Sequence, residues 1–256
     1  MKIAITGKGG VGKSTLSSLI ATYGAEKDKD VIAIDADPDM NLSSCLGVQE
    51  DVRPLIEMED LIEEKAGGGG MVKLNPEVSD VPDEYYVEAG GIRLMVLGTV
   101  WEGGTGCTCP ENAFLKQLLN HLMLERDGVV VADFEAGIEH LGRGTSKGVD
   151  ALITVVEPDR RSLKTASRIR ELAADIGINE VLPVGNGVRS EKDKDFLRDA
   201  LAREPLGFVP YREEIRRSSR QGTKVPLNGK ELRDPIEKIW NGLSKRIDRT
   251  DRVHRR

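Results

Sequence analysis

The segment Gly7-Lys8-Gly9-Gly10-Val11-Gly12-Lys13-Ser14 follows directly on an apolar run, Ile3 to Thr6, and opens a helix-length stretch, Lys13 to Glu26. It fits the pattern GxxxxGK[ST], and a buried strand before it and a helix after it are the context its chemistry needs. Glycines at these positions let successive backbone N–H groups point at phosphate oxygens, and the helix N-terminus adds partial positive charge. Lys13 is placed to reach the β- and γ-phosphates of a nucleotide, and Ser14 to ligate Mg²⁺. Gly9, Gly10, Val11, Gly12, Lys13, Ser14 and Thr15 are therefore candidate ATP- or ADP-binding residues.

A strand that feeds a helix in this way belongs to a parallel sheet, and the rest of the chain keeps the rhythm. Apolar runs recur at Val31 to Ile34, Leu94 to Leu97, Val129 to Ala132, Ala151 to Val156, Val181 to Gly185 and Leu206 to Val209. Helical segments are expected at Glu111 to Arg126, Ser162 to Ile176, Glu191 to Ala202 and Leu232 to Ile247. The alternation predicts an α/β fold, doubly wound and mostly parallel with helices on both faces, as in P-loop NTPases. At 256 residues the chain reads as a single domain. Residues 51–91 interrupt the pattern with an acidic helical stretch, four glycines and a Pro- and Asp-containing piece, and read as an insertion. The basic end, 248–256, reads as a frayed, solvated tail.

Charge narrows the partners. A formal net charge of -6 argues against nucleic acid, whose phosphate backbone requires a basic face. No apolar run approaches the roughly 20 residues that span a bilayer, and the terminal run has too little apolar face for a membrane anchor. The expected location is cytoplasmic, with no membrane partner. Carboxylates follow two of the strands. Asp35 and Asp37 lie just after Val31 to Ile34, and Asp133 closes Val129 to Ala132, at the carboxyl ends where ligands bind in such sheets.

Lys8, a second lysine just inside the loop, gives GKGGVGKST, which resembles the deviant Walker A ATPases, the family that includes MinD, ParA, the arsenite-pump ATPase and the nitrogenase iron protein. The resemblance implies that Lys8 reaches the nucleotide of the other subunit in an ATP-dependent homodimer. It also implies that Asp37 positions the attacking water, that Asp35 lies near the metal's water shell, and that Asp133 holds Mg²⁺ through water. Lys8, Lys13 and Asp37 are then the catalytic residues. The run Asp133 to Leu141 resembles the family's second switch, Asn186 its adenine-bonding asparagine, and Pro210 and Tyr211 the loop along the other side of the base. Gly187 stands where relatives commonly carry a basic residue.

Cys107 and Cys109 alternate in a glycine-rich segment, so an extended backbone puts both thiols on one side. One chain offers two thiolates, whereas tetrahedral Zn²⁺ and square-planar Ni²⁺ each take four ligands, which two chains would supply. Two small buried cysteines without a metal are the plain alternative. The phosphate loop, the Asp35 to Asp39 segment, the cysteine pair followed by PENAFL, the run GIEHLGRGT and the ending GFVPY are together similar to the CooC family of nickel-insertion ATPases in carbon monoxide dehydrogenase maturation. That likeness implies a metallochaperone with Ni²⁺ or Zn²⁺ between paired Cys107 and Cys109. Its client would be carbon monoxide dehydrogenase or the carbon monoxide dehydrogenase/acetyl-CoA synthase complex. A positioning or partitioning switch without metal is the competing reading, and an iron–sulfur electron donor ranks behind it. Cys45 stands outside the pattern and is expected to pack as a small hydrophobe.

Overall fold

A computed structural model of the chain describes residues 1–67, 72–98, 109–136 and 145–254. The strands are β1 (Lys2–Gly7), β2 (Val31–Ala36), β3 (Val87–Glu88), β4 (Ile92–Val96), β5 (Val129–Phe134), β6 (Ala151–Val156), β7 (Val181–Val188) and β8 (Phe208–Pro210). They form one sheet in the order β3-β4-β2-β5-β1-β6-β7-β8, parallel throughout except where β3 runs antiparallel along β4. Every residue of β1, β2, β5 and β6 is buried, the reason these strands read as continuous apolar runs and not as alternating ones.

The helices are α1 (Lys13–Ala25), α2 (Leu42–Leu46), α3 (Glu59–Ala66), α4 (Val81–Glu84), α5 (Pro110–Leu124), α6 (Arg160–Asp175), α7 (Glu191–Ala200), α8 (Glu213–Gln221) and α9 (Lys230–His254). Both faces of the sheet are covered, as the doubly wound expectation requires. On one face Ile3, Ile5 and Ala33 pack with Leu16, Leu19 and Ile20 of α1 and with Ile236, Ile239 and Trp240 of α9. On the other, Ala4, Ile32 and Ile34 meet Phe114, Leu118 and Leu122 of α5 and Ile169 of α6. The pleat divides neighbouring residues of one strand between the two cores.

All seven expected strands are present, with ends shifted by at most three residues, the largest shift being the extension of β7 from Gly185 to Val188. Within 51–91, Leu61, Ile62, Ala66, Val78 and Val81 join the second core, which anchors α3 and α4 against the sheet. Arg93 pairs with Asp30 and Asp83, and Arg126 also grips Asp83, so one charge cluster pins this stretch to β4 and to the end of α5. Helix α8 was not expected from sequence, because Ile215 is its lone large apolar residue and no 3.6-residue stripe marks it. Helix α6 begins at Arg160, two residues before the expected start, because Asp159 caps it by accepting hydrogen bonds from the N–H groups of Arg161 (2.7 Å) and Ser162 (3.0 Å). The backbone of α9 is helical as far as His254, through most of the run expected to fray, since Lys and Arg are good helix formers without needing an apolar face.

Candidate nucleotide-binding site

The glycine loop connects the carboxyl end of β1 to α1. At Gly7 the chain passes so close to β6 that a Cβ would lie 2.6 Å from the Val155 carbonyl oxygen. Gly12 opens α1 in the left-handed region at φ 90° and ψ 32°, and no side chain caps the helix behind it. The first turn of α1 also carries no acidic residue, so its leading N–H groups and positive dipole end face an open loop. Gly9 and Gly10 have nothing within 4 Å of where a Cβ would stand. Backbone donors around an open concavity are what a polyphosphate needs.

Gly12 is the position where a side chain is least tolerable. An added Cβ would collide with the Asn186 amide nitrogen, and the left-handed backbone strains any L-residue. Gly12→Ala is expected to cost about 1–3 kcal/mol of stability and to abolish saturable binding of a fluorescent ATP analogue. Analogue affinity at the wild-type level would show that the loop does not cradle phosphate.

Sheet register brings the carboxylates to the loop. Asp35 of β2 and Asp133 of β5 lie side by side, and Ile5 of β1 is the other neighbour of Asp133. Asp35 is fully buried and accepts from the N–H groups of Leu42 (2.9 Å) and Asp37 (3.2 Å). Burial still dominates, pushing its pKa up to about 6. Asp133 is also fully buried, and neither of its carboxylate oxygens has a hydrogen-bond partner. Burial raises its pKa to about 8; the adjacent Ser14 hydroxyl opposes the shift through proximity, without a well-formed bond, and Asp35 adds to it. Lys13 Nζ sits 3.1 Å from Asp37 Oδ2, both side chains under one-tenth exposed, while Asp37 Oδ1 accepts from the Asp39 N–H at 3.0 Å.

Two orphaned oxygens on a buried carboxyl, next to a serine hydroxyl and a second aspartate, fit a hydrated divalent cation better than they fit a structural role. An unsatisfied buried carboxylate is otherwise only a cost. Ser14, Asp133 and Asp35 are the residues able to hold Mg²⁺ here, within reach of the same loop.

The structure thus gathers Gly9 to Thr15, Asp35, Asp37 and Asp133 at one end of the sheet. Lys8 is half-buried, and its charge opposes the upward shift that burial and Asp159 impose on Glu157, a neighbour not singled out from sequence. Asn186 donates from Nδ2 to the Val11 carbonyl (2.8 Å), tying β7 to the phosphate loop. Pro210 ends β8, and the Tyr211 N–H donates to the Val188 carbonyl at 2.9 Å. The Tyr211 ring lies under the Arg189 guanidinium (3.6 Å), and its hydroxyl donates to Glu213 (2.8 Å). Cys109 occupies the N-cap position of α5, with Pro110 beginning the helix. Cys107 and residues 137–144 lie outside the described residues, as do three of the four consecutive glycines, with Met71, at 68–71. Among the described residues no group of three or more His, Cys, Asp and Glu is arranged to hold a metal ion. Cys45 is buried, as expected, and burial pushes its thiol up to about 11. It nevertheless lies close enough to Asp133, Asp35 and Thr15 to feel all three, a placement that nothing in its local sequence signals.

Residues 2–225 match the CbiA family, the CobQ/CobB/MinD/ParA nucleotide binding domain. The chain belongs to this family. It is a CooC-like, MinD/ParA-type P-loop ATPase. Carbon monoxide dehydrogenase accessory protein CooC from Rhodospirillum rubrum is 39% identical over 99% of this chain and 100% of that one. An uncharacterized ATP-binding protein of Methanocaldococcus jannaschii is 44% identical over 96% of this chain and 98% of its own length. The MinD fold is reproduced as well: the MinC:MinD cell division protein complex of Aquifex aeolicus superposes with a TM-score of 0.70 at 21% identity, covering 96% of each chain. No helix among the described residues is long and apolar enough to cross a membrane.

Proposed function

We propose that this protein is an ATP-hydrolysing metallochaperone that delivers Ni²⁺ to the active site of carbon monoxide dehydrogenase. The observation that carries this reading is the likeness to the R. rubrum accessory protein over essentially the whole of both chains. The carboxylate-lined phosphate loop supplies the chemistry the reading requires.

In this reading Lys13 leaves Asp37 to neutralise the β- and γ-phosphates, and the loop and α1 N–H groups hold the remaining oxygens. Bound Mg²⁺ would draw charge off the phosphates, held by Ser14 and, through water, by Asp133 and Asp35. Asp37 orients the water that attacks the γ-phosphorus as the bond to ADP breaks, and Lys8 from the partner protomer steadies the developing charge. Asn186 Nδ2 is committed to Val11, so Oδ1 is the atom left to accept from the adenine amine. Pro210 and Tyr211 flank the base. The cargo, Ni²⁺ with Zn²⁺ as its chemical competitor, is held by Cys107 and Cys109 of two protomers in a homodimer. The cavity beside Pro110 is lined by Glu57, Glu59, Glu63 and Glu111, a negative surround suited to an incoming cation. Such a protein works in the cytoplasm and needs neither nucleic acid nor a membrane.

Equilibrium dialysis of anaerobic protein against nickel tests the assignment. Wild type is expected to hold about half an ion per chain, the stoichiometry of a shared four-thiolate site. The Cys107→Ser, Cys109→Ser double variant is expected to hold none while binding ATP normally. Nickel retained by the double variant would overturn the cysteine site, and no binding by either protein would favour a nucleotide switch without cargo.

A further inference from the structure

Away from the nucleotide loop, on the α6 side of the sheet, lies a cavity of about 470 Å³. Its floor is Thr154 of β6 with Val181 and Pro183 of β7, and its walls are the 163/166/167/170/174 stripe of α6 and the Ala200 to Arg203 turn after α7. The volume lies within the roughly 300–1,000 Å³ range of small-molecule sites. The void has a sequence cause. Ala166, Ser167, Ala174, Ala200 and Ala202 face it, and small side chains on both walls leave the space between them unfilled.

Three further features distinguish it from a packing gap. Thr154 is 2% exposed, lines the cavity, and its hydroxyl has no hydrogen-bond partner, although a buried hydroxyl is ordinarily satisfied. Leu152 and Val156, which share its face of β6, are apolar, and of its partners across the sheet Pro183 has no polar side chain while Thr6 donates its own hydroxyl to the Glu135 carbonyl, so no neighbour calls for a hydroxyl at this place. Arg170 stands exposed at the rim and makes no ion pair among the described residues, whereas Arg203 across the rim is held by Glu180 (3.1 Å) and the Val181 carbonyl (3.3 Å). Outside the rim, α6 continues the positive field with Arg160, Arg161, Lys164 and Arg168, against Glu171 and Asp175, neither of which lines the cavity. In a chain of net charge -6 this local excess is selective for anions.

We propose that this cavity is a binding site for a small organic anion with an apolar body and a second polar group. Arg170 takes the carboxylate, the alanines and Leu163 enclose the body, and the Thr154 hydroxyl meets the far polar atom. The site is separate from the phosphate loop and does not depend on the metallochaperone reading.

Calorimetric titration of the full chain with octanoate, with 1-octanol as the uncharged control, tests the anion requirement. Octanoate is expected to bind saturably and about tenfold or more tighter than the alcohol, the worth of a charge-assisted hydrogen bond. Arg170→Gln should erase that difference. Ala174→Phe, at an exposed position on α6 where a larger side chain is accommodated without disturbing the core, should abolish both while leaving ATP binding unchanged. A series of ω-hydroxyalkanoates of increasing length is expected to contain one that outbinds its unsubstituted parent, an advantage that Thr154→Val removes. Absence of saturable octanoate binding, equal affinity for octanol, or affinity unaltered in Ala174→Phe would each overturn the proposal.

Discussion

Lys13→Ala should reduce ATP hydrolysis by about two to three orders of magnitude, the usual cost of removing a preorganised charge from a developing phosphate anion. The variant should also be less stable, for a reason unrelated to catalysis. Lys13 and Asp37 form an ion pair that is over nine-tenths buried, and removing one partner strands the other. Breaking a buried pair costs about 3–5 kcal/mol, with the lower end expected here because Asp37 keeps its bond from the Asp39 N–H. The Lys13→Ala, Asp37→Ala double variant separates the two effects. Its urea midpoint should move back towards wild type, since no charge is left uncompensated, while phosphate release stays at the background of the single variant. Hydrolysis within about tenfold of wild type in Lys13→Ala would rule out a direct role for the lysine on the phosphates.

The second large effect concerns Asp133 and has a sign that follows from proton counting. Its pKa is about 8 in the folded chain against an ordinary carboxyl value of 3.8, so between these limits the folded state holds a proton that the unfolded state has lost. Each such proton makes stability fall with rising pH by about 1.4 kcal/mol per unit. Asp35 adds the same slope over a narrower window, from its ordinary value up to about 6. In the absence of nucleotide and Mg²⁺ the wild-type urea midpoint should therefore decline between pH 6 and 8, where, of the two aspartates, only Asp133 still titrates. Asp133→Asn should flatten that decline and be the more stable protein at pH 8, while losing Mg²⁺-dependent ATP hydrolysis by about a hundredfold or more. Parallel midpoint curves for the two proteins would mean that Asp133 is ionised when folded and that the orphaned carboxyl is not the cost described.

The phosphate loop, the strands around it and the carboxylates at their ends could be read from sequence because each is local: a strand, a glycine turn and a helix start within fourteen residues of Met1. What could not be read is what register creates. Asp35 and Asp133 are almost a hundred residues apart and become a coupled pair only because β2 and β5 align residue for residue. The hydrogen bond from Asn186 to Val11 joins positions 175 apart, and no spacing rule announces it. Cys45 looked like a plain core residue, yet α2 folds back beneath the loop and sets its sulfur among the site's acids. Helix α8 was missed for the opposite reason: its local sequence has almost no apolar periodicity, and its ends are set by tertiary contacts and by Gly222 in the left-handed conformation. The α6 cavity was invisible as well, because a missing volume belongs to three elements at once and to none of their patterns.

The strand order has a consequence for how the chain is made. β1 precedes every other described strand in the sequence and lies in the middle of the sheet, between β5 and β6. Those neighbours begin only at Val129 and Ala151, so the apolar run that carries the phosphate loop has no hydrogen-bonded edge to join until those distant segments have been translated. Closing so long a loop is slow, and an unpaired apolar strand is prone to aggregation while it waits. On the ribosome, the ability to bind ATP should therefore arrive late and abruptly, when the centre of the sheet closes around a strand made long before.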